Sequence, residues 1–266
     1  MTAYANLSYL DGMYSYAPFL VLLPSTRMAC ASGTNASGTN ASAPLSGSDP
    51  VDTFNQVAIQ LELLHHHCYD DATGLLVHGY DALRAHSWAN PKTGASPIVW
   101  SRSLGWYTVG LVDALVIASR NLELNTSASF EALRCLFEDF AAAEVNAVNE
   151  SRARTGRAML WQVVTSPGDA GNFAESSGTA LVAYALAKGL RSGLLRNAEV
   201  RESAACTAKA MMQDLVDNSV VRNVNGTLGL NGTSSVASLS GQAVDYEVSC
   251  RFNSFTFVDG GHLKVR

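Results

Sequence analysis

The sequence has no long apolar run, no cluster of positive charge and no dense set of cysteines. Its nearest candidate for a membrane span, residues 17–23, is far shorter than the roughly 18–20 residues needed. It has no run of Lys or Arg, and its formal net charge is −5. Neither a membrane nor a nucleic acid is therefore an expected partner. The hydrophobic content of 47% excludes a disordered chain and predicts a packed core.

The cysteines are too few and too far apart for a disulfide framework or a zinc site. No C-x-x-C pair is present, and the five are separated widely along 266 residues: Cys30, Cys68, Cys135, Cys206 and Cys250. One or two disulfides remain compatible with this spacing. The spacing therefore predicts no zinc site.

Acceptor sequences for N-glycosylation are more numerous than chance predicts. The sixteen Asn residues would give about three such sequences at random. Seven occur, at Asn6, Asn35, Asn40, Asn125, Asn149, Asn225 and Asn231. The excess predicts a secreted glycoprotein, although a local bias towards Ser and Asn would also produce acceptors. The N-terminus shows no signal-peptide pattern, so a preceding segment is expected to be missing.

The pattern of the chain predicts one domain over residues 1–266, built from paired helices. Residues 31–50 contain a short Asn/Ser repeat and are expected to form a surface insertion. Apolar residues at helical spacing follow from residue 50, between 104 and 115, and between 130 and 141, the last after a Thr126–Ser127 cap. Further helices are expected over 4–23, 175–189 and 198–216, and strand-like alternation is confined to short runs at 75–77 and 236–239. No fixed repeat supports a solenoid, so the pattern favours a closed ring of helical hairpins.

Aromatic and imidazole side chains are concentrated in one segment, residues 65–106. It holds three of the four Trp and five of the six His: His65, His66, His67, His78, His86, Trp88, Trp100 and Trp106. Such a mixture with Arg and carboxylates is typical of carbohydrate sites, where rings stack on sugar C–H faces.

Structural roles are the alternative for the same residues. The three consecutive His point in different directions on a helix, cannot jointly chelate a metal, and suit a helix C-terminus. Asp11 and Asp81 would also serve as turn or cap residues, and Arg102 with its flanking Trp residues as a cation–π pair. Trp161 would also fit in the core.

Five ordered motifs resemble glycoside hydrolase family 105, the unsaturated rhamnogalacturonyl hydrolases, which are related to the unsaturated glucuronyl hydrolases of family 88. They are LDGMYSYAPFL at 10–20, TGLLVHGYD at 73–81, WSRSLGW at 100–106, LWQVV at 160–164 and ESSGTALVAYALAKGLRSG at 175–193. The resemblance implies an all-α (α/α)6 toroid of six helical hairpins. It also implies a ring incomplete at both ends and of marginal stability, because ten residues precede Asp11 and TFVDGGHLKVR does not continue the closing helix.

The resemblance assigns two catalytic carboxylates, Asp11 and Asp81, the latter after a Tyr80 that replaces the family's usual Trp. It implies that the substrate-binding residues are His78, Trp100, Arg102, Trp106 and Trp161, with Ser101 replacing a usual Gly. The implied substrate is a lyase-generated rhamnogalacturonan oligosaccharide that ends in a Δ4,5-unsaturated uronic acid. Hydration of the enol ether of this sugar would release it, and the reaction needs no metal or cofactor. Asp81 would donate a proton, with a pKa raised by burial and by Asp11. An inactive secreted helical glycoprotein, or specificity for unsaturated glucuronyl groups, are the alternatives.

Overall fold

The computed structural model describes the backbone of residues 6–32, 49–234, 255–258 and 262–265, and the side chains of 6–23 and 49–234. Within these ranges the α-helices are α1 (Met13–Ser32), α2 (Pro50–Cys68), α3 (Ser101–Ala118), α4 (Leu122–Asn125), α5 (Ala128–Thr155), α6 (Ser176–Arg191) and α7 (Ala198–Asn218). None of the described helices combines the length and apolarity that a membrane span requires. The predicted all-α class is confirmed.

Eight short strands are present in the described parts of the chain. They are β1 (Leu7–Tyr9), β2 (Tyr69–Asp70), β3 (Leu75–Leu76), β4 (Gly79–Asp81), β5 (Val220–Arg222), β6 (Leu228–Leu230), β7 (Phe255–Val258) and β8 (His262–Val265). Strands β1 and β4 form one antiparallel pair and β2 and β3 another, while β5 to β8 form an antiparallel sheet in chain order.

The long helices form two layers. The inner layer consists of α1, α3 and α6, each packed on the next, and the outer layer of α2, α5 and α7. Each inner helix also packs on the outer helix that follows it: α1 on α2, α3 on α5, and α6 on α7. This arrangement of paired helices is the hairpin architecture of an (α/α)6 toroid, as the sequence predicts.

Capping side chains fix where the helices begin. Asp49 Oδ1 accepts a hydrogen bond of 2.9 Å from Val51 N, next to Pro50 in the first turn of α2. Ser127 Oγ accepts one of 3.1 Å from Phe130 N at the start of α5, which confirms the predicted cap. The apolar faces predicted from the spacing are also confirmed, since Phe54, Leu104, Leu133 and their helical neighbours are buried in one core.

Glycines allow the inner helices to approach one another closely. A Cβ built on Gly110 of α3 would overlap the backbone carbonyl of Met13 in α1. A Cβ on Gly105 would lie 2.6 Å from Leu181 Cβ of α6, and one on Gly178 2.7 Å from Ser101 Oγ of α3. The glycine-rich pattern of α6 therefore reflects close packing rather than a loop.

Two sequence predictions are wrong in detail, and two others fall outside the described residues. Helix α1 begins at Met13, after a 3-10 turn over Leu10–Gly12, because residues 7–9 pair with β4 as a strand. Strands β5, β6, β7 and β8 form a sheet that the helical spacing did not predict. The predicted strand at 236–239 and most of the insertion, residues 33–48, lie outside the described ranges.

A buried carboxyl group joins the two layers. Glu144 of α5 is fully buried, and its Oε1 lies 2.6 Å from Thr108 Oγ1 of α3, which also bonds Leu104 O at 3.0 Å. Burial raises the pKa of Glu144 to about 8, with the Thr108 contact opposing it. The single hydroxyl hydrogen of Thr108 serves only one of its two oxygen contacts, so a protonated Glu144 supplies the hydrogen for the other.

We expect Gly110→Ala to lower the free energy of unfolding by about 1–3 kcal/mol, because the new methyl group forces α1 and α3 apart. Gly12→Ala is the matched control, since no atom lies within 4 Å of a Cβ at that position. Urea denaturation followed by circular dichroism measures both. Equal stability of the two variants would show that the close approach at Gly110 is unimportant.

Candidate active site

The polar groups predicted for the site gather where the inner helices begin. Asp11 lies in the 3-10 turn before α1, and Trp100 is the residue that precedes α3. Glu175 caps the start of α6, with its carboxylate accepting from Gly178 N. Contacts from Asp11 to His78, from His78 to Trp100 and from Trp100 through Arg102 to Glu175 place all three residues at one end of the inner layer.

Pairing of β1 with β4 brings the two predicted carboxylates into one region. Leu7 lies opposite Asp81 in this pair, and Leu10 N donates a hydrogen bond of 3.2 Å to His78 O. Next along the chain, Asp11 Oδ2 lies 3.2 Å from Nε2 of the buried His78. The structure therefore joins the segment of Asp11 to that of Asp81, although they are far apart in sequence.

Asp81 is held as a carboxylate. It is 1% exposed, and it accepts hydrogen bonds from Leu83 N, Ala85 N and His86 N at 2.8–3.0 Å and from His86 Nδ1 at 2.8 Å. Burial alone would raise its pKa, but these hydrogen bonds outweigh it and lower the pKa to about 2. The raised pKa expected for Asp81 is therefore not found in this structure.

A row of aromatic rings runs from β1 to the start of α3. The His78 ring lies 5.7 Å from the Tyr9 ring and 4.7 Å from the Trp100 ring, measured between centroids. Trp100 is held by a hydrogen bond of 3.0 Å from its Nε1 to Gln162 Oε1. The Arg102 guanidinium lies 5.2 Å from the Trp100 ring centroid, so the expected cation–π contact is present.

Arg102 also ties α3 to the start of α6. Its Nη2 donates to Glu175 Oε1 at 3.0 Å and to Ser234 Oγ at 2.7 Å, and its Nε donates to Ser177 Oγ at 2.8 Å. The Glu175 side chain is fully buried. Glu175 is a site residue that the sequence pattern did not indicate. The cap position before a Ser-rich helix start was the available signal, but it carries no information about the distant Arg102.

The two remaining predicted Trp residues lie in different surroundings. The Trp106 ring is 4.4 Å from the half-exposed Tyr14 ring of α1, so an aromatic pair bridges two inner helices. Trp161 is partly buried, and its Nε1 donates a hydrogen bond of 3.0 Å to Ser151 Oγ in the outer helix α5. Its structural connection to the site is through the next residue, Gln162, which binds Trp100.

Buried polar atoms without a hydrogen-bond partner are concentrated at this end of the molecule. Among the described residues there are six such side-chain atoms, and Glu144 Oε2 lies apart from the rest. Asp11 Oδ2 accepts no hydrogen bond but lies in the ion-pair contact with His78, and the other four belong to site residues or their immediate neighbours: Trp88 Nε1, Ser101 Oγ, Gln162 Nε2 and Thr233 Oγ1. Because unpaired buried polar groups are costly, this concentration indicates a place where water or a polar ligand binds.

The profile of Glycosyl Hydrolase Family 88 matches residues 48–257, most of the chain. The chain belongs to this family. The match begins after Asp11, so the first predicted carboxylate lies outside it. This family 88 chain is also 38% identical over 177 residues to Protein Atu3128 of Agrobacterium fabrum, which covers 64% of the chain and 68% of that protein.

Solved structures support the same fold. A family 105 glycoside hydrolase of C. acetobutylicum ATCC 824 superposes on 95% of the chain with a TM-score of 0.74 and 25% identity. An unsaturated glucuronyl hydrolase of Bacillus sp. GL1 superposes on 88% with a TM-score of 0.56 and 14% identity, which supports the fold alone. The chain spans 61% of the length of the first structure and 52% of the second.

We expect Arg102→Met to destabilise this family 88 chain by about 3–5 kcal/mol, because it leaves the Glu175 carboxylate buried without its cation. Arg102→Met/Glu175→Gln removes both charges and should restore part of that loss. Urea denaturation of the wild type, both single variants and the double variant measures the coupling. Strictly additive changes would show that the buried pair does not act as a unit.

Proposed function

We propose that the chain is a glycosidase that removes a Δ4,5-unsaturated uronic acid from the end of lyase-generated rhamnogalacturonan oligosaccharides. Membership of family 88 supports the reaction class. The observation that carries the proposal is the collection of Asp11, His78, Trp100 and Arg102 in a chain of contacts, which the β1–β4 pair joins to the segment of Asp81, together with the unpaired buried polar atoms around them. No metal is needed for this reaction.

The proposed substrate is an enol ether, because its C4=C5 double bond carries the ring oxygen at C5. Protonation of C4 starts the hydrolysis, and water then attacks C5. The resulting hemiketal opens by breaking its C5–O5 bond, which leaves a ketone at C5 and a hemiacetal at C1. Collapse of this hemiacetal breaks the glycosidic bond at C1 and releases the remaining oligosaccharide. Asp81 is the proposed proton donor to C4 and, as a carboxylate, the base that takes a proton from the attacking water.

His86 offers a way to supply the proton that Asp81 needs. Its Nδ1 lies 2.8 Å from Asp81 Oδ2, and its side chain is 40% exposed, so it can exchange protons with solvent. A protonated His86 donates through Nδ1 to the carboxylate, and substrate binding would shift that proton towards Asp81 by excluding water. Asp11 Oδ2 would accept a hydrogen bond from a ring hydroxyl, which fixes the sugar beside Asp81.

A direct assay separates the candidate substrates. The chain is incubated with oligosaccharides from rhamnogalacturonan lyase digestion and, in parallel, with unsaturated glucuronyl oligosaccharides from glycosaminoglycan lyase digestion. Loss of ultraviolet absorbance by the double bond reports the reaction. Faster loss with the first set supports the proposal, and faster loss with the second would assign glucuronyl specificity. No loss with either would favour an inactive sugar-binding protein.

Asp81→Asn should lower turnover in this assay by about 10²–10⁴-fold, because the amide has no proton to donate to C4. Asp217→Asn is the control, since Asp217 is an exposed carboxylate on α7. Circular dichroism checks folding, because Asp81 also accepts hydrogen bonds from three backbone N–H groups. Near-normal turnover by folded Asp81→Asn would show that another group protonates C4.

We also propose that the protein is secreted and N-glycosylated. Asn6, Asn149 and Asn225 are exposed and Asn125 and Asn231 partly so, which leaves them open to modification. Asn35 and Asn40 lie outside the described residues. Ser151, the third residue of the Asn149 acceptor sequence, accepts the hydrogen bond from Trp161 Nε1. This contact is a structural reason for a Ser at that position that does not depend on glycosylation. Digestion of the protein, purified from its source, with an N-glycanase should lower its mass, and an unchanged mass would refute the proposal.

A further inference from the structure

The three consecutive His residues line a second pocket. It has a volume of about 540 Å³ and lies at the C-terminal end of α2. Its walls are His65, His66, His67, Tyr69, Asp71, Thr93 and Ala95. The sequence pattern indicates that three adjacent imidazoles diverge on a helix, but at this helix end all three reach the same cavity.

This pocket and the carboxylate of Asp81 lie on opposite faces of β4. The Tyr80 ring stacks on His67 with centroids 4.2 Å apart and planes 12° apart. Ala95, which lines the pocket, is the bridge partner of Tyr80 and therefore shares its face. Successive side chains of a strand point to opposite faces, so Asp81 points away from the pocket.

Fixed turns hold the other two walls. Asp70 Oδ2 accepts a hydrogen bond of 2.6 Å from Thr73 Oγ1, which shapes the turn that carries Asp71. Asn90 Oδ1 accepts from Lys92 N at 2.9 Å and from Thr93 N at 3.1 Å, which fixes the turn that presents Thr93. The pocket is therefore formed before any ligand binds.

The lining combines ring faces with hydrogen-bond donors. The Tyr69 and His65 rings are 5.0 Å apart and the His66 and His67 rings 5.2 Å apart, so two ring pairs face the cavity. Burial lowers the pKa of His65, opposed by Asp139, so at neutral pH this imidazole is uncharged and donates one N–H. Among the described residues no group of three or more His, Cys, Asp or Glu side chains is arranged to hold a metal ion.

The donor set selects the class of ligand. Three imidazoles and the Thr93 hydroxyl offer N–H and O–H groups, while Asp71 is the one carboxylate among the lining residues that the structure describes. A ligand carboxylate suits the donors, a hydroxyl pair suits Asp71, and C–H faces suit the rings. We propose that this pocket is a second binding site, distinct from the catalytic one, for a saturated uronic-acid oligosaccharide.

Binding of trigalacturonate tests the proposal, because this saturated sugar lacks the double bond that the proposed reaction consumes. Histidine imidazole signals in NMR spectra report occupancy, and the full chain carrying Asp81→Asn serves as the background. We expect His66→Ala and Thr93→Val each to weaken binding about tenfold, the loss of roughly one hydrogen bond to a charged group. Tyr184→Ala, which removes an exposed aromatic ring outside the pocket, should leave binding unchanged.

Three results would overturn the proposal. The first is that trigalacturonate leaves the imidazole signals unchanged. The second is that Thr93→Val and His66→Ala bind it as tightly as the parent Asp81→Asn chain does. The third is that a neutral trigalactoside binds as tightly as trigalacturonate. Turnover of the unsaturated oligosaccharides by His66→Ala, measured without Asp81→Asn, should match that of the wild type. Absent turnover with intact trigalacturonate binding would contradict the proposed catalytic function alone, so the two proposals fail separately.

Discussion

The close approach of α1, α3 and α6 determines the relative positions of the site groups that lie at the starts of these helices. Gly110 lets α3 pack directly against the backbone of α1. Gly105 and Gly178 let α3 and α6 approach until side-chain atoms of one helix contact the glycine backbone of the other. The distance between two packed helices sets the distance between the residues at their first turns. The positions of Trp100, Arg102 and Glu175 relative to one another therefore follow from glycines that carry no chemistry.

Local features of the fold were predictable from the sequence, whereas contacts between distant segments were not. Pro50 and Ser127 mark helix starts through interactions within a few residues, and their positions were predicted correctly. The start of α1 was not, because residues 7–9 are drawn into a strand by β4, a partner far along the chain. The sheet of β5 to β8 was missed for a similar reason, since each strand has only three or four residues and β6 and β7 are far apart in sequence.

The candidate site shows the same division. Motif resemblance named Asp11, Asp81, His78, Trp100, Arg102, Trp106 and Trp161, and their catalytic and binding roles stay predictions. The sequence pattern does not predict that Glu175 is the partner of Arg102, or that His86 is the partner of Asp81. It also suggested a raised pKa for Asp81 from burial, but missed the three backbone N–H groups that reverse the shift. Burial and hydrogen bonding oppose each other here, and only the three-dimensional contacts show which prevails.

The buried Glu144 carboxyl group couples folding to proton uptake. Its pKa is about 8 in the folded protein and near the ordinary value of 4.5 when unfolded. Between these values the folded chain holds a proton that the unfolded chain releases, so stability is greatest below pH 4.5 as far as this group is concerned. It declines by up to about 1.4 kcal/mol per pH unit and levels off above pH 8. Calorimetric unfolding enthalpies measured near pH 6 will therefore depend on the ionisation enthalpy of the buffer that accepts this proton.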